Sequence, residues 1–211
     1  NEPFTGANLG FGDTFDLSDA NINRLFANKK QVTLPRTIPE MQDIGTVADE
    51  ELTVSDILEL AQQHRQQQDG GDTKTYYLIF VSGFFTDGNG PNSGVLGVSI
   101  GTTGVIAMFK DVIDSTNVIG VPSVVRFVEQ ATIIHELGHA FGLVDNGVPM
   151  ATPHRDPDHG AHCDDDACVM YFANEGAADA TAFVQQRVLT GNSILFDANC
   201  LADADAQTGG L

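Results

Sequence analysis

Five of the six histidines in this chain fall between positions 135 and 162. Two of them frame the run His135-Glu136-Leu137-Gly138-His139. On a helix, positions four apart share a face one turn from each other, so His135 and His139 can aim two imidazoles at one metal ion while Glu136 stands beside them. Zinc suits imidazole donors at this spacing. It draws the pKa of a coordinated water towards about 7, and a neighbouring carboxylate can then act as general base. An ordinary amphipathic helix can carry the same five letters by chance, so the residues after His139 carry much of the weight. Gly142 extends the pattern to HExxHxxG. A glycine there can adopt positive φ, end the helix and turn the chain back towards the metal. A third ligand then has to arrive from beyond the turn, and Asp145, His154, His159 and His162 are the candidates.

Further on, residues 162–170 read HCxxxxCxM. Together, HExxHxxG and HCxxxxCxM resemble the metzincin clan of zinc endopeptidases, and the second segment is similar to the one that carries the third histidine, two cysteines and the Met-turn methionine in archaemetzincins. The third histidine is displaced by the stretch 143–161, and leishmanolysin-like metzincins carry an insertion at the same point. The resemblance covers residues 131–145 and 162–170. It implies His135, His139 and His162 as zinc ligands, Glu136 as the general base and Met170 as a hydrophobic floor below the ion. His162 is favoured because it directly precedes the cysteine–methionine segment. Asp145 is the runner-up, since it holds the ligand position of the compact HExxHxxGxxD pattern found in snapalysin-like enzymes. Tyr171 could lend its hydroxyl to an oxyanion, although packing is the better reading.

Archaemetzincins join their two cysteines to two later ones in a structural zinc site. Here only Cys200 lies downstream of Cys163 and Cys168, so a four-cysteine site cannot form within one chain. One disulfide among the three, and hence an oxidising compartment, is the expectation.

A formal net charge of −19 argues against nucleic acid and anionic membranes as partners, and no apolar run is long enough to span a bilayer. The acidic charge suits a salty or extracellular medium and, with the expected disulfide, gives a secreted or cell-surface protein acting as a monomer on peptide or protein substrates; the chain starts without a basic or apolar leader, so either such a segment has been removed or none existed. The Asp164-Asp165-Asp166 run, with Asp156 and Asp158, offers oxygen donors for calcium, but without EF-hand spacing solvated loop charge is the better reading.

The elements needed to position these residues give an α+β fold. Residues 1–28 read as an N-terminal arm. Residues 29–142 form an N-terminal subdomain that ends in the zinc-binding helix, and residues 143–211 a loop-rich C-terminal subdomain with the third ligand, the Met-turn and a C-terminal helix. Lys29–Leu34 reads as a short strand, Thr53 as the start of a helix and Thr75–Val81 as a buried central strand. Val95–Ile100 and Val105–Ile113 are two further strands. Gly120–Ser123 opens the helix that runs on through His139, and Asn174–Leu189 is a later helix. The resemblance makes the sheet twisted and mixed, backed by one helix, with residues 95–100 as the edge strand above a cleft. Such an edge can add an extended peptide as a further strand, and a Gly97→Pro exchange is expected to disable that. Two rivals remain: a non-catalytic binding module that keeps a metal for stability, which would not need Glu136, and a zinc hydrolase of a non-protein substrate.

Overall fold

The computed structural model describes residues 2–8, 10–26 and 29–207. The outermost parts of the arm and tail expectations (Asn1, Leu9, Ala27, Asn28 and residues 208–211) lie outside the described residues. The fold is mixed α+β, with small sheets and several helices.

The N-terminal stretch departs from the loop-like arm. Ala7–Asn8 (β1) and Gly12–Asp13 (β2) pair as a short antiparallel ladder, and Asp16–Phe26 (α1) is a helix. Its Leu17, Ile22, Leu25 and Phe26 are buried, as are the polar Ser18 and Asn21. Ser18 and Asn21 carry long-range hydrogen bonds, from the Ser18 hydroxyl to Gln130 and from the Asn21 amide to the Ser193 carbonyl. Polar residues inside the buried face explain why no helical period shows in the letters. Residues 29–34 form no strand.

Glu51–Leu52 (β3) leads into Val54–His64 (α2), whose first turn is closed by Thr53 and Asp56 in a reciprocal capping box. Tyr77–Val81 (β4), Phe84–Thr86 (β5), Pro91–Asn92 (β6), Gly97–Ser99 (β7) and Val105–Phe109 (β8) come next. The sheet that matters for the site has the order β4-β8-β7, with β4 parallel and β7 antiparallel to β8. β8 is buried along its whole length, as a central strand covered on both faces must be. It stops at Phe109 because Lys110–Ser115 (α3) begins there, so the expected strand to Ile113 is shorter. β7 is the edge.

Ser123–Phe141 (α4) is the spine of the molecule. Every residue from Val124 to Gly138 is buried except Arg126. It packs against α1, β7, β8 and α3. Mid-helix Glu129 pairs with Lys110 and accepts the Phe4 main-chain N–H at 2.7 Å, so the one buried carboxylate on this stretch outside the motif is satisfied. Gly142 ends the helix at φ 88°, and the Leu143 and Gly142 N–H groups close back on the Gly138 and His139 carbonyls at 3.1 and 3.0 Å. This is the Schellman arrangement that a glycine permits. Val144 and Asp145 continue the turn with φ of 54° and 59°, which tightens it further.

The region expected as one helix over 174–189 is divided: a 3₁₀ turn at Phe172–Glu175, a short α-helix at Ala177–Phe183 (α5) and a π-turn at Val184–Val188. Ala198–Ala206 (α6) closes the chain, capped by the Asp197 carboxylate on the Cys200 N–H at 2.8 Å. No helix among the described residues is long and apolar enough to cross a membrane.

Candidate functional site

α4 presents His135, Glu136 and His139 towards β7, with His135 and Glu136 almost fully buried. His162 reaches the same place from the far side of the 143–161 insertion. That stretch folds back on itself: the Asp156 N–H donates to the His162 carbonyl at 2.7 Å, and the Asp164 N–H to the His154 carbonyl at 2.9 Å. Extended residues alternate in direction, so His162 faces α4 while Cys163 faces the other way.

The three imidazoles converge. His139 Nε2 lies 3.1 Å from His135 Nε2 and 3.2 Å from His162 Nε2. The Nδ1–H of His135 donates to the Val169 carbonyl at 2.7 Å, and that of His162 to the His159 carbonyl. With those protons engaged, the Nε2 atoms of His135 and His162 are lone-pair donors, and a single N–H on His139 cannot satisfy both. A cation can. A tetrahedral ion 2.0–2.1 Å from each nitrogen would set them about 3.3 Å apart, close to what is found. The carbonyls behind the rings also fix ring orientation, as partners of metal-ligating histidines do. Burial pulls His135 down to about 4, and burial together with the two neighbouring imidazoles pulls His139 down to about 2. Both are therefore neutral near pH 7 and ready to bind. Burial also lowers His162, but hydrogen bonds to Glu175 and the His159 carbonyl outweigh it and the net shift is upward.

Glu175 is the member of this group that the motif reading missed. Its Oε1 is 3.1 Å from His162 Nε2 and 3.9 Å from His135 Nε2. His135, His139, His162 and Glu175 offer four donor atoms within 4.8 Å of one another. The sequence carries no spacing signal for it. It depends on a 3₁₀ turn held by Asn174, whose amide donates to the Cys168 and Val169 carbonyls at 3.0 and 3.1 Å.

Glu136 is buried beside this group. Burial raises its carboxyl to about 8, with Glu175 adding to the rise and the Ser99 main-chain N–H opposing it. A cation at the imidazoles would act in the opposite direction. Gly97 packs closely over Thr132, Glu136 and Met108, which leaves little room for a side chain. A Cβ on Gly97 would lie 3.0 Å from Thr132, 3.1 Å from Glu136 Cγ and 3.1 Å from Met108 Sδ. The Gly97→Pro exchange therefore disturbs Glu136 as well as the edge, and is not a clean test of strand addition. Similarly, a Cβ on Gly138 would lie 2.3 Å from Met170 Sδ. Met170 thus packs, fully buried, on the helix turn between the two histidines.

A cleft of about 380 Å³ opens over the group. Edge residues Gly97, Val98 and Ser99 form one wall, Asn146 and His159–His162 another, with Glu136, His139 and Glu175 between them. Tyr171 is not among its lining residues and packs beside Phe172, with ring centroids 4.7 Å apart. The other candidate ligands are engaged elsewhere. Asp145 is exposed and pairs with Arg155 at 3.5 Å. His159 stacks on Phe172 and pairs with Asp156 at 2.8 Å. The acidic loop residues Asp156 and Asp165 accept the main-chain N–H groups of Asp158 and Ala167, which are turn-closing bonds. Neither metal-competent group among the described residues contains Asp156, Asp158 or Asp164–Asp166.

No protein-family model, curated protein or solved structure matches the chain.

His154 belongs to the second metal-competent group, with Cys163, Asp197 and Cys200. Its Nδ1 is 3.4 Å from Cys163 Sγ, and its Nε2 bonds the fully buried Asp203 at 2.8 Å. Cys168 Sγ lies 3.6 Å from both Cys200 Sγ and Asp197 Oδ1. All three cysteines are free and buried, so the expected disulfide does not form. A separation of 3.6 Å is far beyond an S–S bond, and close to the roughly 3.8 Å between sulfurs that share a tetrahedral zinc. Donation from Cys168 and Cys200 holds the Cys163 thiol down at about 2. Burial pushes Cys168 up, and its bonds to the other two sulfurs push Cys200 up. Three cysteines cannot make a four-cysteine site, but counting cysteines alone overlooks the other donors. A histidine from the insertion and an aspartate three residues before Cys200 converge on the sulfurs.

Proposed function

We propose that this chain is a zinc-dependent, metzincin-like endopeptidase. The observation that carries the reading is the meeting of three imidazole Nε2 atoms whose geometry calls for a cation, next to the buried carboxylate of Glu136 and beneath an edge strand. His135, His139 and His162 would hold the ion. Zinc bound there would supply a Lewis acid for a peptide carbonyl and a water acidified to about pKa 7. Glu136 would accept a proton at its carboxylate and return it to the leaving amine. β7 would align an extended peptide through main-chain hydrogen bonds, which is the job an edge strand can do. The second group would hold a structural zinc through His154, Cys163 and Cys200, with Cys168 or Asp197 as the fourth donor. The atoms that lie within 4.8 Å of one another include one from Asp197, while thiolate softness speaks for Cys168. Free thiols remove the disulfide argument for an oxidising compartment, so the secreted location is supported by the acidic composition alone.

The test is cleavage of a mixed quenched peptide library by the zinc-loaded protein, with Glu136→Gln as the blank. Cleavage lost in the variant and in chelator, with zinc content unchanged in the variant, supports the reading. Equal cleavage by wild type and variant would remove Glu136 from the chemistry. The rival, a metal-stabilised binding module, has one observation in its favour: Glu175 gives the histidine group a fourth protein donor, and structural sites are closed in this way.

A further inference from the structure

We infer that Glu175 is a displaceable fourth ligand, bound to the metal while the cleft holds no substrate and turned out when a substrate group takes its place. This rests on the metal-centre reading above and reconciles the closed donor set with a hydrolytic site.

Three observations carry it. Glu175 Oε1 and His162 Nε2 are 3.1 Å apart, yet the His162 proton is engaged at Nδ1 by the His159 carbonyl. A second proton on His162 would satisfy this pair alone, but a shared cation satisfies it together with the neighbouring Nε2 atoms of His135 and His139. Secondly, the four donors differ in how firmly they are held. The side chain of His135 is 1% exposed and that of His162 11%, whereas that of Glu175 is 49% exposed. Thirdly, its backbone is fixed while its side chain is not. Asn174 is tied to the Cys168 and Val169 carbonyls, and the Glu175 carbonyl accepts the Leu96 N–H at 3.4 Å next to the bridge between Val95 and Gly176. The carboxylate can therefore leave by rotation of its own side chain, with no movement of the histidines or of the edge strand.

The position on the metal that Glu175 occupies faces the cleft, where β7 would deliver a peptide carbonyl. Each entering ligand must then compete with an attached carboxylate. If that carboxylate sits on the metal about nine-tenths of the time, apparent affinities are weakened about tenfold.

The experiment uses zinc-loaded full chain and acetohydroxamate, a small bidentate zinc ligand. Crystals of the free protein are expected to place a Glu175 oxygen about 2.0–2.2 Å from the ion, and acetohydroxamate soaks to turn it outward. Calorimetry is expected to show Glu175→Ala and Glu175→Gln binding acetohydroxamate at least about tenfold more tightly than wild type. Glu175 turned away from zinc in the free crystals, or equal affinities in all three proteins, would overturn the assignment. Failure of all three proteins to cleave any peptide, with those affinities ordered as expected, would instead overturn the peptidase reading and leave the ligand assignment standing.

Discussion

The histidine group and the thiol group are fed by neighbouring residues, His162 and Cys163, and have opposite relations to solvent. In the first, one donor is half exposed and a cleft lies over the set. In the second, Cys163, Cys168 and Cys200 have no exposed surface, and His154 is backed by a carboxylate that is itself fully buried. Two donors of the first group come from one helix, α4, which is buried along most of its length. The second draws on the insertion, the 163–168 loop and the N-terminus of α6, irregular segments tied otherwise by main-chain bonds between 154–156 and 162–164 and by the bonds of Asp203 to Ala151 and His154. A metal at the first site would add chemistry to a scaffold that already packs. At the second it would add a cross-link among short segments.

Removing one donor from each group puts this contrast under the most severe strain. Cys200→Ser is expected to lose one equivalent of zinc and to lower Tm on the order of 10 °C, since a structural ion contributes several kcal/mol to folding. His139→Ala should also lose one equivalent and abolish turnover, while Tm moves by only a few degrees because α4 is held by its buried face. Metal analysis and thermal melts on both variants decide it; equal melting shifts would end the distinction between a chemical and a structural site. A milder probe is Asp203→Asn, which keeps the shape of the residue behind His154 but weakens its hold. A loss of about tenfold in zinc affinity, confined to one equivalent, is expected in a chelator competition assay. The smallest effect should come from Asp145→Asn. That side chain is exposed and paired only with Arg155, so stability should change by less than about 0.5 kcal/mol and metal content not at all. Loss of an equivalent there would displace His162 as third ligand in favour of Asp145.

Legibility in the sequence runs along the same divide. The helix pair His135 and His139, the carboxylate of Glu136 beside them, the glycine that ends α4 and strand β4 are local patterns, set by helical spacing, φ preference and apolar runs, and they can be read from the letters. α1 could not, because Ser18 and Asn21 occupy its buried face and their partners, Gln130 and Ser193, lie more than a hundred residues away. Glu175 and His154 were hidden for a similar reason. Each reaches its group through a chain reversal fixed by main-chain hydrogen bonds, and no residue spacing encodes a reversal of that kind.

The pairing of 154–156 with 162–164 has a consequence for how the chain can change over time. Together with the Val148 N–H on the Gly142 carbonyl, it fixes both ends of the path from Pro149 to Pro153 independently of its contour. Lengthening such a loop adds only slowly growing closure entropy, about 0.6 kcal/mol for each doubling. Residues could be gained or lost there on either side of Ala151, whose N–H is held by Asp203, without altering the aim of His162 or His154, which leaves this stretch free to diversify while both donor groups stay in register.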